Sequence, residues 1–116
     1  MKRKLSLHGA ENNLQNAVNN NDYEALEKML SNGKDNLDIN YMYPPGVSLL
    51  HQACVLGDID VIKLMVDKGA DVNAKTWAQW TPAKLAVTYG HFEVAQLLLD
   101  SGARVDDIVN GFQVDE

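Results

Sequence analysis

The chain is short of most features that announce chemistry. It has one cysteine, Cys54, in 116 residues, which excludes an internal disulfide framework and a multi-cysteine metal site. No apolar run approaches the roughly 20 residues that span a bilayer. The N-terminus, Met1-Lys2-Arg3-Lys4-Leu5-Ser6-Leu7-His8, starts basic but lacks the apolar core of a signal peptide, so export is not expected. Cations are in the minority. Ten Lys and Arg face 16 Asp and Glu, a formal net charge of −6, which disfavours nonspecific attraction to nucleic acid or anionic membranes. There is no glycine-rich phosphate loop and no nucleophile elbow. What remains is ordinary globular material, 46% hydrophobic and 22% charged, of single-domain length.

The organising feature is self-similarity. Gly57-Asp58-Ile59-Asp60-Val61 returns 33 residues later as Gly90-His91-Phe92-Glu93-Val94. Asp67-Lys68-Gly69-Ala70-Asp71-Val72-Asn73 returns at the same spacing as Asp100-Ser101-Gly102-Ala103-Arg104-Val105-Asp106. A third copy lies upstream at a spacing of 36, with Leu14, Ala17, Val18, Leu26, Met29 and Gly33 over Leu50, Ala53, Cys54, Ile62, Met65 and Gly69. The three extra residues fall within Lys34-Asp35-Asn36-Leu37-Asp38, a loop lengthening of the kind connections tolerate.

Each copy reads as two helices and a connecting loop. Ser48 is a good N-cap for a short helix ending near Leu56, and Gly57 permits a tight turn. Asp58 or Ile59 starts a second helix that Gly69 ends in a left-handed conformation. In the next copy Thr81 caps, Pro82 takes the first helical position, and Gly90 and Gly102 terminate. One helix pair cannot bury both of its apolar faces, whereas three stacked pairs can. The expected domain plan is a flexible basic arm over residues 1–9, three repeats at about 10–40, 46–73 and 79–106, and a tail over 108–116. In the tail, Ile108, Val109 and Phe112 could fold back over the last pair.

The unit Gln79-Trp80-Thr81-Pro82-Ala83-Lys84-Leu85-Ala86, followed by Gly90-His91 and Leu97-Leu98-Leu99-Asp100-Ser101-Gly102-Ala103, resembles an ankyrin repeat. Ser48-Leu49-Leu50-His51-Gln52-Ala53 with Gly69-Ala70-Asp71-Val72-Asn73 agrees. The resemblance implies an all-α solenoid of three helix-turn-helix repeats with short β-hairpin fingers. It also implies a binding surface on the finger tips and the C-terminal ends of the first helices. Four positions depart from the family pattern. Lys84 stands where His51 stands one copy earlier, Gln79 replaces a turn glycine present as Gly46, Thr76 replaces a finger aspartate, and Tyr43 takes that aspartate's place in the preceding copy. These departures are expected to weaken the hydrogen bonds of the fingers.

Catalytic residues are hard to find. His8, His51 and His91 have no metal-type spacing with a second His or Cys. By the same resemblance His51 bonds neighbouring backbone and cap groups; His91, between helices after Gly90, reads as a turn residue, and Cys54, in register with Val87, as a small core residue. Asp58, Asp60 and Glu93 suit helix N-termini electrostatically, and a solvated face explains them better than an acid–base pair. No catalytic group, metal or cofactor is expected. Lys2-Arg3-Lys4 reads as a solubilising tail rather than a nuclear-import signal, and the setting is expected to be intracellular, cytoplasmic or nuclear.

The informative residues are apolar ones at positions the repeat exposes. The first finger carries Met42, Tyr43, Pro44, Pro45 and Val47, and the second carries Trp77 and Trp80. The ends of two first helices add Val55, Leu56, Thr88 and Tyr89. The 33-residue register aligns Pro44 with Trp77, Val47 with Trp80, Val55 with Thr88 and Leu56 with Tyr89, all toward one side. Interfaces enrich such side chains.

The expected function is therefore a non-catalytic protein-binding module, an adaptor or regulator acting as a monomer on a partner with basic residues around an apolar centre. Its size, lengthened first link, Leu50-His51-Gln52 and Val61-Ile62-Lys63-Leu64 make it similar to the short Notch-regulated ankyrin-repeat proteins, which implies a Notch intracellular-domain complex as one possible partner. Phosphatase-regulatory ankyrin proteins compare as well. A structural fragment or self-associating array is the third reading.

Overall fold

A computed structural model describes residues 6–31, 38–44 and 46–104, with side chains from Asn13 onward. Among the described residues six helices fall in three antiparallel pairs: α1 (Ser6–Asn19) with α2 (Tyr23–Ser31), α3 (Leu49–Leu56) with α4 (Ile59–Asp67), and α5 (Pro82–Thr88) with α6 (Phe92–Asp100). The first helices α1, α3 and α5 pack side by side in one row, and α2, α4 and α6 form a second row behind them. A two-stranded antiparallel ladder, β1 (Met42–Tyr43) with β2 (Val47–Ser48), makes the first finger.

The helix boundaries follow from local chemistry. The Ser48 side chain accepts from the backbone N–H of His51, and His51 reaches back to the N–H of Ser48, a reciprocal cap that satisfies two otherwise orphaned donors. Asp58 accepts from the N–H groups of Asp60 and Val61 to start α4. Thr81 accepts from Lys84 N–H, with Pro82 at the first helical position of α5. The turns between helices need positive φ. Gly57 (+82°) and Gly90 (+83°) supply it, and Asn21 (+53°) does so at the matching place in the first copy, a residue that tolerates this region well. At the ends of α4 and α6 the N–H groups of Ala70 and Ala103 bond back to the carbonyls of Met65 and Leu98 at 3.0 and 2.9 Å.

Burial between pairs holds the stack together. Leu14 and Val18 of α1, Leu26 of α2, Leu50 and Cys54 of α3, Ile62 and Met65 of α4, Ala86 of α5 and Leu98 of α6 are all essentially inaccessible. A side-chain clamp repeats at the 33-residue period. Asn40 donates to the Gly69 carbonyl and accepts from Asp71 N–H, at 3.1 and 2.8 Å. Asn73 does the same with Gly102 and Arg104, both at 3.1 Å. Each clamp ties one copy to the turn that ends the next.

Two findings refine the sequence reading. Helix α1 begins at Ser6, so residues 6–9 are helical rather than part of an arm. The apolar spacing at Leu7, Ala10, Leu14, Ala17 and Val18 carries the helical period back that far. The second finger has no β-ladder, yet it keeps its hydrogen bonds. Thr76 N–H donates to the Trp80 carbonyl at 2.9 Å, and Thr76 Oγ1 accepts from the N–H groups of Ala78 and Trp80 at 3.2 and 3.0 Å. The hydroxyl thus supplies a side-chain acceptor at the place of the finger aspartate, and the hydrogen bonds of this finger are present. Gln79 adopts φ +72° where Gly46 has +92°, keeping the glycine-like turn in a residue that pays for it in strain. The lengthened loop, the arm residues before Ser6, Pro45 and the tail with Ile108, Val109 and Phe112 lie outside the described residues.

Candidate functional site

The side-by-side packing of α1, α3 and α5 turns register into rows. Asn16, Gln52 and Leu85 occupy one position of the repeat, Asn19, Val55 and Thr88 a second, and Asn20, Leu56 and Tyr89 a third. The rows are amide-rich in the first copy and mainly apolar or aromatic by the third. Over α3 and α5 they border a groove of about 630 Å³. Val55, Leu56, Leu85, Thr88 and Tyr89 line it from the helices, and Val47, Ala78 and Trp80 close it from the fingers. Leu56 and Tyr89 are 43% and 55% exposed at its mouth.

Polar contacts fix these walls. His51 is fully buried beneath the second finger. Its Nδ1 accepts from Ser48 N–H at 3.1 Å, which leaves Nε2 protonated to donate to the carbonyls of Trp80 (2.9 Å) and Ala74 (3.1 Å). Burial holds the imidazole pKa below its ordinary 6.5, against the opposing pull of the carbonyls of Trp80 and Ala74 and of the nearby Asp71 charge. His91 Nε2 donates to the Val55 carbonyl at 3.0 Å, pinning the end of α3, and its ring fills the space that a Cβ on Gly57 would need. On the opposite wall Gln52 is gripped by Gln15 at 3.2 Å and by Asn19. The Lys84 ammonium lies 4.8 Å from the centre of the Trp80 ring, a cation–π contact.

Of the residues expected at a contact surface, Val47, Val55, Leu56, Trp80, Thr88 and Tyr89 come together in this groove. Tyr43 does not. It is 4% exposed, in an edge-to-face contact with Tyr41 at 4.8 Å, and belongs to the core. Alternation along β1 explains this, since only one of its two side chains can point outward and Met42 is the less buried. Pro44 is exposed at the finger tip, away from the groove. Trp77 is 72% exposed and lies on Gly46, bridging the two finger tips rather than entering the groove. The sequence reading missed Asn19, Gln52 and Leu85. Their repeat register was the available signal, because each shares a row with a residue already singled out or adjacent to one.

Chemically, the groove offers apolar surface and neutral amides and hydroxyls. Burial raises the Cys54 thiol pKa to about 12, well away from a thiolate nucleophile. Among the described residues no cluster of three His, Cys, Asp or Glu could hold a metal ion, and no helix is long and apolar enough to cross a membrane. What the site can do is take apolar side chains out of water. A seated aromatic removes about 150–250 Å² from solvent, several kcal/mol at about 25 cal/mol per Å² before ordering costs.

Known proteins place this geometry in a family. The chain is 30% identical over 89 residues to protein phosphatase 1 regulatory subunit 27 of Mus musculus, covering 77% of this chain and 56% of that protein. It is 29% identical over 86 residues to the Notch-regulated ankyrin repeat-containing protein of Xenopus laevis, 73% of this chain and 75% of that protein. It is also 29% identical over 96 residues to Notch-regulated ankyrin repeat-containing protein A of Danio rerio, 78% and 86% respectively. The chain thus spans about half the length of the phosphatase subunit and most of the Notch-regulated proteins. Residues 14–108 match the profile of ankyrin repeats in three copies, units whose general role is protein–protein interaction. With the stacked helix pairs, the capped first helices and the finger between them, this match makes the chain a member of the ankyrin-repeat family.

Proposed function

We propose that the chain is a non-catalytic regulator that works by occupancy, docking a protein partner in the groove over α3 and α5. The observation that carries this is the coincidence of apolar register rows with a formed groove. Val55, Leu56, Leu85 and Tyr89 share one concavity with Trp80, while the first-copy equivalents of these four helix positions are Asn16, Asn19 and Asn20. Leu56 and Tyr89 are exposed apolar anchors of the kind that dominate binding energies. Intracellular placement accords with the free buried cysteine.

A photo-crosslinking residue placed at Tyr89, with a control at Lys63 on the exposed side of α4, tests the reading in native lysate. Capture of a protein from Tyr89 that is absent from Lys63 and is abolished by Leu56→Asp supports it. Equal capture from both positions, or none from Tyr89, overturns it.

Coverage of most of their length supports one finer reading, a regulator of the Notch type acting on a Notch intracellular-domain complex. Calorimetric titration of that purified complex, with Tyr89→Ala as the control, decides it: binding lost in the variant is expected, and no heat with the wild type ends it.

A further inference from the structure

The groove has a charge asymmetry that its apolar lining conceals. Neither α3 nor α5 contains an Asp or Glu, and Lys84 is the one formally charged side chain on either helix. Among the described side chains, carboxylates gather elsewhere, on the second row of helices and their ends, as in Glu24, Glu27, Asp60, Asp67 and Glu93. A net charge of −6 therefore misdescribes the helical walls of the docking surface, which carry no carboxylate and one ammonium.

The placement of that ammonium is specific. Lys84 Nζ sits over the ring of Trp80, and the Lys84 carbonyl accepts from Thr88 Oγ1 at 2.8 Å, while Trp80 and Thr88 both line the groove. One copy earlier the same repeat position is His51, whose ring is spent on the backbone carbonyls of Ala74 and Trp80. Among the described residues the Lys84 ammonium has no carboxylate partner and no hydrogen bond, only the indole face. A cation resting on an aromatic ring is easily redirected to an anion, and beside a partly dry wall such a pair is less screened than one in open water.

We propose that the groove receives an apolar segment of a partner protein that carries an Asp or Glu at its finger-side end, with Lys84 as the ion-pairing residue that sets this preference. The proposal rests on the docking reading above. A charge seated within the groove would find only neutral amides and hydroxyls, so the carboxylate belongs at the edge. A basic residue there would meet Lys84 as a like charge. This departs from the expectation drawn from total charge, which counted carboxylates that do not face the groove. At longer range the net charge still favours a partner that is basic elsewhere.

Peptide display on the immobilised chain tests this, with counter-selection against Leu56→Asp and Tyr89→Ala to retain only sequences that need the groove. The expected result is groove-dependent sequences with Asp or Glu flanking apolar residues. Their affinity should fall about tenfold in Lys84→Gln, survive in Lys84→Arg, and weaken with salt in the wild type and Lys84→Arg but not in Lys84→Gln. Groove-dependent sequences that are basic, indifferent to charge, or unaffected by Lys84→Gln overturn the proposal and leave the docking reading standing. A complete lack of groove-dependent sequences overturns both. Sedimentation of the chain alone provides the last arm: a dimer broken by Leu56→Asp assigns the groove to a second copy and ends the proposal.

Discussion

The indole of Trp77 lies directly on the backbone of Gly46, so that the tip of the second finger rests on the turn of the first, with no room for a Cβ between them. Gly46 also has φ +92°, a conformation that L side chains rarely adopt. Gly46→Ala should therefore destabilise the fold by about 1–3 kcal/mol, combining backbone strain with the collision. In a Trp77→Ala background the same change should cost less, because only the backbone part remains. Equal costs in both backgrounds, measured by urea denaturation, would show that the ring contact carries no energy.

Trp77 itself is 72% exposed, so Trp77→Ala should lower stability by less than about 1 kcal/mol. Leu98 is fully buried in α6, and Leu98→Ala should cost about 2–5 kcal/mol through the cavity it leaves. Thermal melts of the two variants side by side check the contrast, and similar shifts would refute the burial assignment.

His51 couples stability to pH. Its folded-state pKa lies below 6.5, so the unfolded chain binds the proton more readily. The stabilisation from keeping the ring neutral is complete above 6.5 and is lost as pH falls from there through the folded value. The slope can reach at most about 1.4 kcal/mol per pH unit for one group. Protonation would also oppose Nδ1 to the Ser48 N–H donor. Denaturation between pH 7.5 and 5 should show the loss, and His51→Gln should flatten that part of the curve at a lower overall stability.

Tyr89→Ala should leave stability within about 0.5 kcal/mol, since the ring is 55% exposed, while weakening partner binding by more than about 1 kcal/mol. Calorimetry on the captured partner measures the second quantity and a melt the first. A stability loss comparable to the binding loss would assign Tyr89 to packing.

Gln79→Gly relieves a left-handed conformation at φ +72° but adds freedom to the unfolded chain. The two effects are of similar size, and relief is expected to win by up to about 1 kcal/mol. A lower melting temperature in the glycine variant would show that the Gln79 side chain is stabilising in its own right.

The helix pairs were legible in the sequence because each boundary has its own chemistry: Ser48, Asp58 and Thr81 as caps, Pro82 at a first position, and Gly57 and Gly90 in the turns. The fingers were less so. A hydroxyl can replace a carboxylate as a turn acceptor, which is why Thr76 looked like a defect and is not one. The inward direction of Tyr43 depends on a two-residue strand, too short for alternation to be read. The contact of Trp77 with Gly46 joins different copies and leaves no trace in either one's pattern. Leu85 and Gln52 are half-buried and neither is a large exposed side chain, so only the repeat register reveals that they line the groove.

Cys54 has a practical consequence. It sits in the middle pair with no accessible surface, and its thiol is protonated at any ordinary pH. Alkylating reagents can reach it only when that layer opens, so the rate of its modification becomes a built-in clock for breathing of the array. The same silence leaves a blank background on which a cysteine introduced at the groove mouth could be labelled alone.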